Sequence, residues 1–109
     1  MYTYIIECAD GSFYTGIATD VKKRMQEHLG IIKGGAKYTK SRPPVAVLAV
    51  WESENRSMAS KLEFYIKKLT RREKLELTAT YNLSVLSDEI EPSSYSLVLD
   101  LIGEISKFF

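Results

Sequence analysis

The sequence contains few of the features that define several large classes of protein. Cysteine occurs once, at position 8, so no internal disulfide can form and nothing indicates an oxidising compartment. No apolar run approaches the roughly 20 residues that a membrane-spanning helix needs. The residues after Met1 are strand-like, without a basic segment followed by an apolar one. We therefore expect no secretory signal, no membrane partner and a cytoplasmic location.

The chain also has almost no excess of one charge over the other, since its net charge is only +1. Its distribution along the chain is nevertheless uneven. Residues 1–74 carry 14 Lys and Arg against eight acids, whereas residues 75–109 carry one against six. A basic body with an acidic tail favours an anionic partner, most commonly nucleic acid. On charge alone, chance segregation of solvated surface residues explains the asymmetry equally well.

The overall composition is that of one folded domain, with 45% hydrophobic and 27% charged residues in a chain of 109. Near the start, the strand-like segments Tyr2–Glu7 and Phe13–Ile17 flank Asp10-Gly11, which is a strong turn signal. This pattern predicts a β-hairpin.

The register of that hairpin decides which side chains share a face of the sheet. A two-residue loop would pair Cys8 with Phe13 and place Tyr4 and Tyr14 on opposite faces. A three-residue loop at positions 10–12 would instead place both tyrosines and Gly16 on one face. The sequence alone leaves this choice open. Two phenols in one active site would require an odd-length loop.

A helix is predicted over Val21–Leu29, because Thr19-Asp20 can cap its start and Gly30 can end it. Arg24 and His28 are four residues apart, so both project from one strip of this helix. Such a pair can hold a phosphate, although a solvated arginine beside a surface or half-buried histidine is the commoner meaning of this spacing.

The next segment, Gly30–Pro44, combines adjacent glycines with an aromatic residue and several cations. This composition suits contact with a phosphate backbone, and a plain solvent loop is the competing interpretation. The residues predicted to contact nucleic acid here are Lys33, Lys37, Tyr38, Lys40 and Arg42. The nearly continuous apolar run Val45–Trp51 then predicts a central strand buried on both faces.

A second amphipathic helix is predicted from about Ser57. Its apolar face consists of Met58, Leu62, Tyr65, Ile66 and Leu69. Glu63 lies at the margin of that face, where a carboxylate needs either a cationic partner or a metal ion. An ion pair with Lys67, four residues further on, is the alternative to a metal.

The remainder of the chain is predicted to contain two more helices. A capping box at Thr70–Glu73 predicts a short helix through about Leu77. The densest cationic cluster lies beside it, and we predict nucleic-acid contacts for four of its members: Lys67, Lys68, Arg71 and Arg72. Ser93-Ser94 can cap a final amphipathic helix. We therefore expect a domain over residues 1–77 and a C-terminal extension over residues 78–109, whose helix packs on that domain.

Three motifs occur in a defined order: CADGSFYTGIATD at Cys8–Asp20, GGAKYT at Gly34–Thr39 and IKKLTRREKL at Ile66–Leu75. In this order the chain resembles the GIY-YIG nuclease family over roughly Tyr2–Leu77. The motifs are most similar to those of its small, free-standing, single-domain bacterial branch. Because several motifs coincide, the resemblance is specific.

The resemblance implies an α+β fold in which a three-stranded antiparallel sheet is flanked by helices, here with an additional C-terminal helix. It also implies a phosphodiester-cleaving site on one side of the sheet, with Mg²⁺ or Mn²⁺ bound by Glu63. Gly16 accompanies the tyrosine of the second motif. The residues carried over as catalytic are Tyr4, Tyr14, Arg24, His28 and Glu63.

Three positions depart from the family pattern. Tyr2-Thr3 precedes Tyr4 where the family has Gly-Ile, and Thr15 replaces the isoleucine of the second motif. Both changes leave the tyrosines intact. The asparagine that many members carry beyond the glutamate has no counterpart, and Leu75 falls near its place. That loss is expected to weaken phosphate binding or activity.

Phosphodiester hydrolysis needs a deprotonated water, a stabiliser for the charged transition state and help for the leaving oxygen. A single candidate metal carboxylate favours a one-metal scheme in which the ion keeps most of its waters. Arg24 would hold the non-bridging oxygens through its forked donors. Tyr4 is assigned as general base and Tyr14 as positioning group, with the two roles exchangeable.

The sequence therefore predicts a metal-dependent endonuclease that acts on DNA or RNA, with repair or processing as its setting. No small-molecule cofactor is expected, and the protein is expected to be a monomer or a weak dimer. The alternative is a nucleic-acid-binding module of the same fold with little catalysis.

Overall fold

A four-stranded antiparallel sheet forms the centre of the molecule, with strand order β2-β1-β3-β4. The computed structural model describes all residues 1–109. The strands are β1 (Tyr2–Cys8), β2 (Phe13–Ala18), β3 (Pro44–Glu52) and β4 (Ser96–Leu97). The helices are α1 (Val21–His28), α2 (Lys37–Ser41), α3 (Arg56–Lys67), α4 (Arg71–Thr80) and α5 (Leu99–Ser106). The predicted α+β class is confirmed.

The prediction of three strands is wrong, because a fourth strand pairs with β3. In β4, Leu97 lies opposite Trp51 and Ser96 lies opposite Glu52. A strand of two residues is too short to show alternation in the sequence, and only its tertiary partner creates it. The expected serine cap of the last helix is also wrong. Pro92–Ser94 forms a 3₁₀ turn, and α5 begins later.

The β1-β2 hairpin has a three-residue loop, one of the two predicted lengths, but the loop is Ala9–Gly11 and not positions 10–12, because Cys8 pairs with Ser12. Gly11 has φ +82°, the left-handed conformation that closes such a loop. In this register Tyr4 lies opposite Gly16, and Ile6 lies opposite Tyr14. Both tyrosines therefore leave the same face of the sheet.

Each face of the sheet carries its own apolar layer. On one face, α3 and α4 cover a cluster formed by Ile5, Ala49, Trp51, Leu62, Ile66, Leu77, Leu83, Ile90 and Tyr95. On the other face, α1 and α5 cover a cluster formed by Tyr4, Ile6, Val21, Met25, Val47, Val50 and Ile105. Because β2 is an edge strand, its outer side is free of strand pairing, and α3 contacts it. Residues at the starts of α1 and α3 line a groove at the end of this strand.

The helix starts follow local capping chemistry. Asp20 caps α1 by accepting from the Lys23 backbone N–H, and Asn55 caps α3 in the same way. The predicted capping box at the start of α4 is present, with Thr70 and Glu73 each accepting from the other's backbone N–H. No helix of the protein combines the length and apolar character needed to cross a membrane.

Candidate active site

Gly16 leaves the space in which the Tyr4 ring lies. A Cβ atom at this position would lie 2.5 Å from the Tyr4 hydroxyl oxygen and 3.1 Å from Cε1 of Tyr14. Real Cβ atoms do not approach other heavy atoms so closely. A side chain at position 16 would therefore force the Tyr4 ring to shift, whereas the contact of Gly16 with nucleic acid stays a prediction.

Tyr4, Tyr14 and His28 form one aromatic cluster beneath α1. The Tyr4 hydroxyl oxygen lies 2.7 Å from His28 Nε2, and both residues are buried. The Tyr14 ring lies 6.4 Å from the Tyr4 ring and 5.2 Å, edge-on, from the imidazole. Tyr14 itself is only half-buried, so the cluster has a covered end and an open end.

Thr39, which the sequence argument did not select, determines how His28 is protonated. Its hydroxyl donates to the Ala36 carbonyl at 3.0 Å and lies 2.9 Å from His28 Nδ1. A hydroxyl has one proton, so towards the imidazole Thr39 must accept. His28 Nδ1 therefore carries the hydrogen, and Nε2 is an acceptor that receives the Tyr4 O–H. The chain of hydrogen bonds runs in one direction, from Tyr4 to the Ala36 carbonyl.

The charge state of the cluster agrees with this assignment. Burial lowers the pKa of His28 to about 4, and the positive charge of Arg24 contributes to the shift. The imidazole is therefore neutral at neutral pH. Burial raises the pKa of Tyr4; Arg24 opposes this shift, whereas Tyr14 and Glu63 add to it. The phenol is consequently protonated, with a neutral proton acceptor already in contact.

Adjacent glycines lie against the end of α1, just before α2, the helix that carries Thr39. Gly35 has φ +89°, and a Cβ there would lie 2.8 Å from the Glu27 carbonyl oxygen. Only a residue without a side chain permits this close backbone approach. The pair Gly34-Gly35 thus allows the backbone to lie close to the end of α1, and Thr39 then reaches His28. The motif was visible in the sequence, but its target was not.

Arg24 stands between the buried cluster and solvent. Its guanidinium Nη1 lies 3.2 Å from Glu27 Oε1, and 28% of the side chain is exposed. Its charge acts on both Tyr4 and His28. The arginine is therefore held by one carboxylate and keeps further N–H donors for an incoming anion.

Glu63 approaches the site from the other layer, because α3 packs across β1 and β2 and its Ala59 carbonyl accepts from Thr3. Its carboxylate pairs with Lys67 at 3.3 Å, which is the ion pair that the spacing allowed. The Glu63 side chain is 24% exposed, and its charge raises the pKa of Tyr4. Two helices from opposite faces thus converge at the edge strand.

The donor set at Glu63 suits a weakly bound hydrated ion. No group of three or more His, Cys, Asp or Glu side chains is assembled anywhere in the protein. Such a set does not fit zinc or a dehydrated calcium ion. It does fit Mg²⁺, which retains several waters and binds through one or two carboxylates together with substrate phosphates.

The predicted contact residues of the loop divide into two groups. Tyr38 packs against Tyr14 with ring centroids 5.7 Å apart and donates to the Ser12 hydroxyl. Arg42 lies 4.4 Å above the Tyr38 ring and forms an ion pair with Asp10 at 3.1 Å. These two residues are engaged within the protein. The exposed cations of this loop are Lys33, Lys37 and Lys40.

The second predicted cluster divides in the same way. Arg71 donates to the Gly11 carbonyl and lies 5.1 Å from the Phe13 ring centroid, so it braces the hairpin turn. Lys68 lies 4.3 Å above the Phe64 ring. Lys67 is paired with Glu63 as described above. Arg72 is exposed and forms no ion pair. Leu75, at the place of the family asparagine, is also exposed.

Comparison with known proteins identifies the family. A model described as the GIY-YIG catalytic domain matches residues 1–76. UPF0213 proteins of Halalkalibacterium halodurans and Syntrophus aciditrophicus are 42% and 47% identical, covering 72% and 70% of this chain and 81% and 86% of their own. A solution NMR structure of a UPF0213 protein from Bacillus halodurans shares 44% identity, over 72% of this chain and 81% of its own, with a TM-score of 0.46. The resemblance inferred from the motifs is thus confirmed, and the chain belongs to the GIY-YIG family, a family of nucleases that generally depend on divalent metal ions.

Proposed function

We propose that the protein is an endonuclease that hydrolyses phosphodiester bonds of DNA with Mg²⁺ or Mn²⁺, and that RNA is its second candidate substrate. The proposal rests mainly on the Tyr4 hydroxyl, which is hydrogen-bonded at 2.7 Å to the neutral imidazole of His28. The positive charge of Arg24 acts on the same phenol. This combination supplies a proton path and an anion-binding group next to the edge strand β2.

Tyr4 is the proposed general base, acting together with His28. A free phenolate is disfavoured because burial raises the pKa of Tyr4. The phenol can still accept a proton from the attacking water if its own proton passes to His28 Nε2 in the same step. One O–H bond of the water and the O–H bond of Tyr4 break, so that Tyr4 gains the proton of the water and His28 gains the proton of Tyr4. The new P–O bond forms as the bond between phosphorus and the 3′ oxygen breaks, and that oxygen takes up a proton from solvent. The Thr39 hydroxyl accepts from Nδ1 throughout this transfer.

Arg24 and Tyr14 have positioning and stabilising roles in this proposal. The arginine would hold the non-bridging phosphate oxygens, where its planar fork is better suited than a lysine. Tyr14 lies at the open end of the aromatic cluster, next to Arg24's helix, and would orient the phosphate or the water. Both groups act where negative charge develops during the reaction.

Glu63 is the proposed ligand of the metal ion. When bound, the ion supplies positive charge to the phosphate and to the departing 3′ oxygen. The contribution of this chain is one carboxylate at the edge of the sheet, with Lys67 as its partner in the absence of an ion.

Cleavage of single-stranded, duplex and branched DNA, and of RNA, tests the proposal directly. We expect Mg²⁺-dependent products from the unmodified protein and at least a 100-fold loss for Glu63→Gln and Arg24→Ala. Glu76→Gln is the matched control, because Glu76 is an exposed carboxylate on α4. A preparation that cuts none of these substrates, or cuts them equally after both substitutions, contradicts the proposed function.

A binding module with little catalysis is the second candidate, favoured by the Glu63–Lys67 ion pair and by Leu75 at the place of the family asparagine. It predicts salt-sensitive DNA binding that survives Glu63→Gln. Neutralising Lys67, Lys68, Arg71 and Arg72 together would abolish that binding. Metal-dependent cleavage with turnover would exclude this candidate.

A further inference from the structure

We propose that a groove beside the candidate active site is a second phosphate-binding subsite, in which Lys23 and Arg56 hold a neighbouring phosphodiester of the bound strand. Neither residue stood out in the sequence. The inference rests on the proposed function, because it extends the path of the same nucleic-acid strand beyond Arg24.

The groove lies where the end of β2 passes between the starts of α1 and α3. It has a volume of about 250 Å³, and its charged lining consists of Asp20, Lys23, Arg24, Glu27 and Arg56. Sites for drug-sized ligands usually enclose about 300–1,000 Å³. The groove therefore has room for a phosphate with part of its sugar, and the base would lie outside.

The acids of the groove are already engaged by groups of α1. The Asp20 carboxylate accepts from the Lys23 backbone N–H at 3.1 Å, and Glu27 pairs with Arg24 at 3.2 Å. By contrast, neither the Lys23 ammonium nor the Arg56 guanidinium forms an ion pair in the protein. The lining thus carries three cations against two acids, and Lys23 and Arg56 are the cations that form no ion pair. The resulting net charge of +1 favours an anion.

The groove is continuous with the candidate active site through Arg24, which lines it and whose charge acts on Tyr4. Arg56 and Glu63 are also seven residues apart on α3, which places them on the same side of the helix, about 10 Å apart along its axis. A strand whose scissile phosphate lies between Arg24 and Glu63 would therefore continue past Arg56.

Because these contacts would involve phosphate only, the subsite would contribute affinity without sequence preference. The test is the salt dependence of binding to a short fluorescent DNA duplex, measured by anisotropy for the full chain carrying Arg56→Gln and Lys23→Gln. Each lost phosphate contact should reduce the slope of log K against log salt by about 0.9. We expect a several-fold weaker affinity with kcat at saturating DNA unchanged.

Lys61→Gln is the matched control, because Lys61 is an exposed lysine of α3 that is absent from the groove and forms no ion pair. It removes the same charge and should leave the slope as it is. An unchanged slope in the Lys23/Arg56 double variant, or a loss no larger than that of Lys61→Gln, overturns the subsite. If cleavage is intact in that case, the proposed nuclease function stands without it. If the unmodified protein neither binds nor cuts DNA, both proposals fail.

Discussion

The two halves of the candidate site differ in how firmly the fold holds them. On the α1 side, Tyr4, His28 and Thr39 are buried and joined by hydrogen bonds that run to the Ala36 carbonyl. On the α3 side, Glu63 is partly exposed and paired with a single exposed lysine. The groups proposed to move protons are therefore fixed before substrate arrives, whereas the proposed metal ligand can exchange its partner.

This difference follows from what each half must do. Proton transfer through a phenol requires short, directed contacts, which only a buried network maintains. A magnesium ion that keeps its waters requires charge and access more than a rigid cage. The comparison therefore predicts that substitutions on the α1 side affect both folding and turnover, while those on the α3 side mainly affect turnover.

The largest effect is expected for Tyr4→Phe. Removal of the hydroxyl eliminates the proposed base and leaves His28 Nε2 buried without its donor. Cleavage should fall by about 100- to 10,000-fold, and the free energy of unfolding should fall by about 1–3 kcal/mol. Single-turnover cleavage and urea unfolding measure the two quantities. Tyr14→Phe is the comparison, and a larger loss of cleavage there would exchange the roles of the two tyrosines.

A pH titration of stability tests the state of His28. Its pKa is about 4 in the folded protein, against 6.5 in an unperturbed histidine. Between these values the unfolded chain binds a proton that the folded chain does not, so stability falls as pH falls from 6.5 to 4. The loss from this group should approach about 3 kcal/mol. Below pH 4 it contributes no further change.

The control for this titration is His28→Gln, in which the carboxylates still titrate but the imidazole is gone. Subtracting its unfolding curve from that of the unmodified protein isolates the histidine. A difference that does not vary between pH 6.5 and 4 would mean that His28 is not held neutral in the folded protein.

Gly16→Ala tests the space that the hairpin leaves for the phenol. The new methyl group would lie 2.5 Å from the Tyr4 hydroxyl oxygen, so the ring must shift. Overpacking of this kind destabilises by about 1–3 kcal/mol and should also break the contact with His28. Gly103→Ala is the control, since a Cβ there has no atom within 4 Å. Equal stability and cleavage in both variants would contradict the steric argument.

Thr39→Val should have a smaller effect, because it preserves shape and removes one acceptor for His28 Nδ1–H. We expect roughly a tenfold slower cleavage, equivalent to about 1.4 kcal/mol. Nitrogen NMR of the imidazole should show a mixture of two tautomers in place of one. Thr39→Ser keeps the hydroxyl and should restore both the cleavage rate and the single tautomer. A valine variant with the wild-type rate and tautomer would remove Thr39 from the mechanism.

The sequence predicted those parts of the site that depend on local chemistry. The starts of α1 and α4 follow from the predicted caps at Asp20 and the Thr70–Glu73 box, whose side chains act within three residues. The start of α3, expected at about Ser57, is at Arg56, because Asn55 caps the helix. The length of the hairpin loop could not be predicted, because loops of two and three residues around Asp10-Gly11 are both compatible with the pattern.

The parts that the sequence missed depend on contacts between distant residues. The strand β4 exists only because Leu97 lies beside Trp51. Thr39 gains its importance only because Gly35 fits against the end of α1. Likewise, charge counting could not distinguish Arg71, which braces Gly11, from Arg72, which stays exposed.

The smallest effect on stability is expected for Lys67→Gln, and it separates the two halves most sharply. The Glu63–Lys67 pair is largely exposed on the lysine side, so its loss should change the free energy of unfolding by about 1 kcal/mol or less. Removing the ammonium also removes a competitor for the carboxylate. The Mg²⁺ concentration that gives half-maximal cleavage should therefore fall, while the pH dependence of stability set by His28 should not change. Lys61→Gln is the charge-matched control, measured across the same Mg²⁺ series. A Mg²⁺ requirement that rises in Lys67→Gln and not in Lys61→Gln would show that Lys67 assists the ion or the phosphate instead of competing for Glu63.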